Sequence, residues 1–434
     1  MKDANAENIF QLDGKVPLGK AIPIGLQHIL AMFVANITPM MILASVCGLD
    51  QTITAKLIQN AMIVAGLGTL IQLCPVWKLG SKLPVVMGIS FTFLNSAIFV
   101  GTTYGYATII GCVLIGGIIE GILGLFAKYW IKLISPIVAA TVVTAIGFSL
   151  LTVGANSFAG GQGAENYGVW QNWVIGSVTL LCCICFQIFT KGYLKVISVL
   201  FGLVVGYILS ICLGVVDFSA LQNTKVVSVP AFLPFKPEFN IGAILSFVVI
   251  YLVSATETIG DTTALASSAL DRNVTDKELA GSIACDGFVS SIGGLFGCTP
   301  ITSFSQNVGL VAMTKVVNRF ALAIGAIFLI FCGLFPKLAA LISIMPQSVL
   351  GGAAVMMFAS IVVSGIQLIT KEALTARNIT IVSVALGLGF GLGANTAILS
   401  ALPTNFQLVF GGSGIVPAAI IAIILNIVIP KEKN

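Results

Sequence analysis

Long apolar stretches alternate with short polar loops along the chain. Windows of about 20 residues, the length that crosses a bilayer as a helix, identify fourteen such stretches. They are 21–46, 55–74, 83–100, 106–127, 137–153, 170–189, 196–213, 241–265, 279–296, 300–314, 320–335, 348–366, 379–393 and 412–429. This pattern predicts an all-α polytopic membrane protein with fourteen transmembrane segments.

The third and tenth segments are interrupted. Pro84 and Gly88 break the third, whereas the tenth holds Pro300, hydroxyl residues and the pair Gln306-Asn307. Irregular backbone at membrane depth persists only where protein or a watery cavity satisfies its polar groups. We therefore predict a short extended stretch followed by a half-helix in each segment, and a solute site near mid-membrane. Two proline-kinked helices lining a pore are the alternative.

Basic residues predict the orientation of the segments. With both termini on one side, 17 of the 21 Lys and Arg residues lie on that side, and Lys56, Lys225, Lys236 and Lys337 lie opposite. The positive-inside rule then places both termini in the cytoplasm and requires an even number of segments. We expect a multi-pass protein of the cell membrane without a cleavable signal peptide, because residues 1–20 contain no apolar run.

The longest polar interval, 217–240, separates two sets of seven segments. An odd number per set reverses the orientation of the second, which predicts inverted repeats. Pro84 and Pro300 are 216 residues apart, so the two breaks occupy similar places in the halves. Their half-helices would direct backbone N–H groups toward an electron-rich solute.

Composition agrees with a membrane protein and excludes other classes. Charged residues make up 9% of the chain and mean hydropathy is +1.06, against about 25% charged residues in soluble domains. The ten Cys residues form no CxxC pair and the chain has one His, so we expect no metal site or cofactor. The net charge of +5 is spread over loops, which argues against nucleic-acid binding. Without a nucleophile–base pair or phosphate loop, an enzyme is the weakest interpretation.

Five ionisable residues lie at membrane depth, where a charge is costly and therefore suggests function: His28, Glu120, Glu257, Asp261 and Asp286. Glu257 and Asp261 are four residues apart and share a helix face. Because neighbouring carboxylates disfavour joint ionisation, one of them is expected to hold a proton, as a proton symporter requires. Alternatively, Asp261 braces nearby backbone.

The other ionisable residues and Phe91 each have candidate roles as well. His28 is expected to contact the solute, relay protons or simply pack, and Asp286 to orient its neighbours or join a proton path. Glu120 lies in a glycine-rich helix and is predicted to be structural. Phe91, at the first break, either meets a flat ligand or belongs to the core.

The run Gln306-Asn307-x-Gly309-x(4)-Thr314-Lys315 resembles the signature of the nucleobase–ascorbate transporter family. Four further motifs extend the resemblance over essentially the whole chain: Gln27-His28, Leu83-Pro84-Val-Val-Met-Gly88, Glu257-Thr-Ile-Gly-Asp261 and Asp286-Gly287. The resemblance implies a core domain (21–130 and 240–346) and a gate domain (131–215 and 347–430). It also implies elevator-like transport and a possible homodimer through the gate domain.

The variable positions of the signature imply a substrate group. Gln306 together with Asp261 resembles xanthine and uric acid carriers, whereas uracil carriers tend to have Glu and His at these positions, and ascorbate carriers Pro at the first. Glu257 can accept two N–H bonds from a purine edge, and Gln306 offers a donor and an acceptor. Lys315 departs from the Gly that bacterial purine carriers often have there, and the resemblance implies an effect on access or affinity rather than on substrate class.

We therefore expect import of xanthine or uric acid by proton symport, with sodium as the other possible coupling ion. The predicted substrate-binding residues are Glu257, Gln306, Phe91, Ser305 and Ser90. The predicted coupling residues are His28, Asp261, Asp286 and Asn307. The alternatives are a uracil or other nucleobase permease of the same family, and a bicarbonate or sulfate transporter of the related fold, which the site carboxylates would oppose.

Overall fold

The computed structural model describes residues 8–131, 134–161, 164–191, 195, 197–218, 227–394, 396–403, 407, 410 and 414–430. Most of this part is α-helical, as predicted. Its helices of ten or more residues are α1 (Leu18–Val46), α2 (Gln51–Leu73), α3 (Leu94–Tyr104), α4 (Tyr106–Leu125), α5 (Pro136–Phe158), α6 (Trp170–Phe189), α7 (Ser198–Cys212), α8 (Ile241–Ala269), α9 (Asp276–Leu295), α10 (Ser305–Thr314), α11 (Arg319–Gly333), α12 (Gln347–Lys371), α13 (Ala376–Ala394) and α14 (Ile415–Val428). Each overlaps one predicted apolar window.

Several helices satisfy the length and composition of a membrane span. Within the described residues, eight are at least 18 residues long and apolar enough to cross a bilayer. Helix α11 and the short helix Pro336–Ser343 pass the same test together, bent by 79° at their junction, which would make a ninth span. The protein is therefore a multi-pass membrane protein, whereas the count of fourteen spans stays a prediction.

Polar caps fix where several helices begin. The side chains of Asp50, Asn240 and Asn318 each accept a backbone N–H from the first turn of α2, α8 and α11, respectively. Thr275 and Glu278 form a reciprocal capping box at the start of α9. Such caps satisfy N–H groups that the helix itself leaves unpaired.

Glycines allow two helix pairs to approach backbone to backbone. A methyl group on Gly117 of α4 would lie 2.6 Å from the carbonyl oxygen of Gly287 in α9, and one on Gly287 would lie 2.1 Å from the nitrogen of Gly121. A methyl group on Gly351 of α12 would lie 2.0 Å from the nitrogen of Phe158 in α5. Close packing of the glycine-rich helix α4 is thus confirmed.

The helices pack in two groups. Helix α4 packs on α8 and α9, and α11 on α1 and α2, whereas α12 packs on α5, α6 and α7, and α14 on α5 and α13. Helix α8 joins the groups through contacts with α5 and α14. The exact division into core and gate domains stays a prediction.

Candidate functional site between two broken segments

Two short strands form an antiparallel ribbon, β1 (Met87–Ile89) and β2 (Ile301–Ser303), in which Gly88 pairs with Thr302. Strand β1 continues through a 3-10 turn, Phe91–Phe93, into α3, and β2 leads into α10. The short helices therefore leave opposite ends of the ribbon. The predicted local form of both breaks, a few extended residues and then a short helix, is confirmed.

The outer edges of the ribbon are satisfied by side chains from the surrounding helices. Four backbone N–H groups that face away from the partner strand each donate to a polar side chain: Met87 to Thr69 (2.9 Å), Ile89 to Asn36 (2.8 Å), Ile301 to Ser290 (2.9 Å) and Ser303 to Asp286 (3.1 Å). At membrane depth no bulk water can replace these acceptors. These side chains therefore allow extended backbone to persist inside the helical bundle.

Glu257 of α8 faces the ribbon and has two hydroxyl partners. The Thr92 hydroxyl donates to Glu257 Oε2 at 2.6 Å, and Ser305 Oγ lies 3.2 Å from Glu257 Oε1. Ser305 Oγ also lies 2.8 Å from Oδ2 of Asp261, one turn further along α8. A single hydroxyl thus links the two carboxyl groups that sequence placed on one helix face.

Asp286 is a completely buried tie between α9, α8, α2 and β2. Its oxygens accept from the Thr258 hydroxyl (2.7 Å), the Ser303 N–H (3.1 Å) and the Gln72 amide (3.1 Å). The Gln72 carbonyl oxygen in turn accepts from the backbone N–H and hydroxyl of Ser81. Asp286 therefore holds its neighbours in place and is not among the residues that line the cavity described below.

His28 of α1 and Asn307 of α10 form a buried pair, with His28 Nδ1 2.8 Å from Asn307 Oδ1. Among the described residues, His28 Nε2 and Asn307 Nδ2 have no hydrogen-bond partner. The pair holds the start of α10 against α1, and neither side chain is among those that line the cavity described below.

A partly open cavity of about 30 Å³ lies against the ribbon, so a solute much larger than water would need it to widen. Its lining brings together four of the five predicted substrate residues with apolar side chains of α5 and α12: Ser90, Phe91, Ile146, Glu257, Thr302, Ser303, Phe304, Ser305 and Ile361. The side chain of the fifth, Gln306, lies outside the described residues. The cavity thus offers a carboxyl group, hydroxyls and aromatic rings to one solute.

Two aromatic rings shape this cavity. The Phe91 ring packs edge-on against Phe358 of α12, with centroids 5.0 Å apart, and lies 6.5 Å from the Phe304 ring. Phe91 and Phe304 line the cavity, and each is less than a tenth exposed. Phe91 therefore belongs to the core and to the cavity wall at once.

Lys315 ends α10 in the left-handed conformation, with φ of +58°. Glycine adopts this conformation without steric cost, which explains why glycine suits the position. The Lys315 ammonium donates to the carbonyl oxygen of Ser268, at the end of α8. Lys315 thus joins the ends of α8 and α10 and lies away from the cavity lining.

Sequence reasoning did not single out Thr92, Phe304 or Gln72. Thr92 and Phe304 adjoin the two breaks, so the breaks could have drawn attention to them. Gln72 is 214 positions from its partner Asp286, and nothing in its surroundings along the chain marks it.

Comparisons with known proteins agree over nearly the whole chain. The model of the Permease family matches residues 19–398. The chain is 33% identical to the xanthine permease XanQ of Escherichia coli (strain K12), over 99% of this chain and 96% of that protein. It is 34% identical to the uric acid permease PucK of Bacillus subtilis (strain 168), over 93% of this chain and 94% of that one. The xanthine permease of the same Bacillus strain is 32% identical, over 94% of each chain.

Solved structures share the fold at low sequence identity. The transmembrane domain of the cyanobacterial bicarbonate transporter BicA superposes with a TM-score of 0.61 at 15% identity, over 86% of this chain and 96% of that one. The murine Solute Carrier 26 family member A9 anion transporter, in its inward-facing state, gives 0.61 at 11% identity, over 94% of this chain and 68% of that one. From the family model and the relatives together, the chain is a membrane transporter, not an enzyme, and it belongs to the nucleobase–ascorbate transporter family of permeases.

Proposed function

We propose that the protein imports a purine nucleobase, xanthine or uric acid, by proton symport. The observation that carries this proposal is the cavity in which Glu257, Ser305, Ser90 and Phe91 meet. Relatives named xanthine and uric acid permeases support the substrate class. Glu257 would accept two N–H groups of the base, Phe91 would cover one ring face, and Gln306 would pair with an adjacent C=O and N–H.

The transport cycle that we propose is elevator-like. Fourteen spans in two inverted repeats would form a core that carries the ribbon and a gate that includes α5 and α12, with both termini cytoplasmic. The apolar side chains of Ile146 and Ile361, which close the cavity from α5 and α12, support this division. Movement of the core along such an apolar wall would expose the solute to either side, and a homodimer would hold the gate still.

Protons are the proposed coupling ion, with Asp261 and Glu257 as the exchanging groups and Asp286, His28 and Asn307 as their support. The shared contact of both carboxyl groups with Ser305 supports a proton at this place. Sodium, which would need several oxygen ligands around one point, hydroxyl and carbonyl oxygens included, is the alternative that the uptake assay below distinguishes.

Uptake of radiolabelled xanthine and uric acid by cells that lack their own carriers tests the proposal. We expect saturable uptake of at least one of them, abolished by a protonophore. Uptake that needs sodium and persists with the protonophore would contradict proton coupling. Strong uracil uptake without xanthine or uric acid uptake would contradict the substrate class.

An anion transporter is the second candidate, because the fold resembles the BicA domain and two helix N-termini adjoin the ribbon. The carboxyl group of Glu257 opposes it, since it lines the cavity and would repel an anion. Bicarbonate or sulfate uptake by the purified protein in vesicles, without binding of any nucleobase, would favour this candidate.

A further inference from the structure

Ser305 occupies an unusual position for a hydroxyl group. Its oxygen lies 2.8 Å from Asp261 Oδ2 and 3.2 Å from Glu257 Oε1, and both carboxyl groups belong to one face of α8. A serine hydroxyl carries one hydrogen, so it can donate to only one of them at a time. The other contact is a hydrogen bond only if that carboxyl group carries a proton and donates it to the serine oxygen.

The geometry therefore allows two arrangements with one proton. With the proton on Asp261, Asp261 donates to Ser305, and the Ser305 hydroxyl donates to an ionised Glu257. With the proton on Glu257, Glu257 donates to Ser305, and the Ser305 hydroxyl donates to an ionised Asp261. Thr92 donates to the other oxygen of Glu257 at 2.6 Å, and a donor favours the ionised form of that carboxyl group. The first arrangement is therefore favoured, and it leaves Glu257 ready to accept N–H groups of a ligand.

We infer that Ser305 is a positioning residue: its hydroxyl donates to Glu257 when Asp261 is protonated and to Asp261 when Asp261 is ionised. The site therefore binds its purine tightly only when Asp261 is protonated. This inference deepens the proposed function and rests on it. A proton from the outer side would bind Asp261 and turn the Ser305 hydroxyl toward Glu257. Loss of that proton to the cytoplasm would turn the hydroxyl back to Asp261, which removes a donor from Glu257 and weakens its hold on the ligand.

Other titratable groups face these residues without replacing Ser305. Asp286 of α9 lies within electrostatic reach of Asp261, Glu120 of α4 lies within reach of Glu257, and His28 of α1 contacts the neighbouring Asn307. None of them has a hydrogen bond to either α8 carboxyl group among the described residues. Asp286 would change the pH at which Asp261 titrates, whereas the link from Asp261 to Glu257 passes through the serine.

Equilibrium binding of xanthine to the purified protein across a pH series tests the inference with Ser305→Ala. Loss of a hydrogen bond to a charged group corresponds to about a tenfold change in affinity. We expect the variant to bind about tenfold more weakly than the wild type on the low-pH plateau and equally well at high pH. The ratio of the two affinities cancels ionisation of xanthine itself, since both proteins meet the same ligand at each pH.

Matched variants distinguish the hydrogen-bonding role of the Ser305 hydroxyl from a role in packing. Ser305→Thr keeps the hydroxyl and is expected to follow the wild-type pH profile. Thr302→Val removes another hydroxyl from the cavity lining, one without a bond to a carboxyl group, and any effect is expected to be the same at every pH. Asp261→Asn mimics the protonated residue, because its amide can donate to Ser305, and is expected to keep low-pH affinity throughout the series.

Three results would overturn the inference alone: an equal loss at every pH for Ser305→Ala, no loss at any pH, or a wild-type pH profile for Asp261→Asn. If Ser305→Ala does not fold, the Asp261→Asn profile still decides. Absence of xanthine and uric acid binding by the wild-type protein at every pH would instead overturn the proposed function, and the inference with it.

Discussion

Replacement of Asp286 by Asn tests whether this buried side chain is an ionised tie. Every described contact of its carboxyl group comes from a donor: Thr258, Ser303 and Gln72. A carboxylate suits three donors, whereas an amide must point its own NH₂ group at one of them. The least costly orientation turns the amide toward Gln72, whose carbonyl oxygen is already held by Ser81.

The cost of Asp286→Asn follows from these contacts. One N–H group of the Gln72 amide loses its acceptor, at about 1 kcal/mol, because the same nitrogen keeps the carbonyl and hydroxyl oxygens of Ser282 at 3.2 Å. The bonds from Thr258 and Ser303 also lose their charge assistance, which makes each roughly half as strong. We expect a total destabilisation of about 2–4 kcal/mol, together with weaker support of β2.

Thermal unfolding of the purified protein in detergent measures this effect. The matched control is Asp276→Asn, the same change of charge at an exposed position in the first turn of α9, where only the helix dipole is affected, by about 1 kcal/mol or less. We expect a drop of several degrees in the unfolding midpoint for Asp286→Asn and little change for the control. A midpoint equal to that of the wild type would show that Asp286 is neutral or that its three contacts contribute little.

Thr92→Val should weaken purine binding about tenfold or more, since Glu257 loses a donor that orients it. Thr92→Ser keeps the hydroxyl and should bind like the wild type. Equal purine affinities of the two variants in a binding assay would refute this role of Thr92. Glu120 is completely buried, and neither carboxyl oxygen has a hydrogen-bond partner among the described residues, so it is expected to be neutral and structural. Glu120→Gln should then keep uptake within about twofold, and a complete loss of uptake would reveal a proton-carrying role instead. Partial burial alone would raise the pKa of Glu278, but hydrogen bonds from Arg272 and the start of α9 lower it below its ordinary value. Because the folded pKa is lowered, the ion pair stabilises the protein above the pKa of Glu in the unfolded chain, about 4.3, and this stabilisation is lost as the pH falls through the folded pKa. The small difference in unfolding midpoint between wild type and Glu278→Gln should therefore vanish in acid. A difference that stays constant with pH would contradict this.

Local signals in the sequence predicted much of the site. Pro84 and Pro300 at hydrophobic depth predicted the two breaks, because proline and polar residues disrupt an apolar helix. The spacing of Glu257 and Asp261 predicted a shared helix face, and the structure joins them through one hydroxyl. These features depend on neighbours within one or two helical turns, which a single sequence displays directly.

The long-range partners could not be predicted in the same way. Thr92 lies 165 positions from Glu257, to which it donates. Asn36 lies 53 positions from Ile89, whose backbone N–H donates to it. Hydroxyl and amide side chains recur throughout the helices, and their pattern along the chain does not say which of them face the ribbon. The apolar wall of the cavity was equally hidden, because isoleucines of α5 and α12 look like any lipid-facing residue.

Binding of xanthine and uric acid to purified wild-type protein and to Glu257→Gln tests the central claim most directly. A carboxylate accepts two N–H groups of the base, whereas glutamine offers a single acceptor oxygen, so one charge-assisted bond is lost. We predict that the wild type binds at least one of the two purines and that the variant binds it about 10- to 100-fold more weakly. Equal affinity of the two proteins would contradict the claim that Glu257 holds the base in the cavity beside the ribbon.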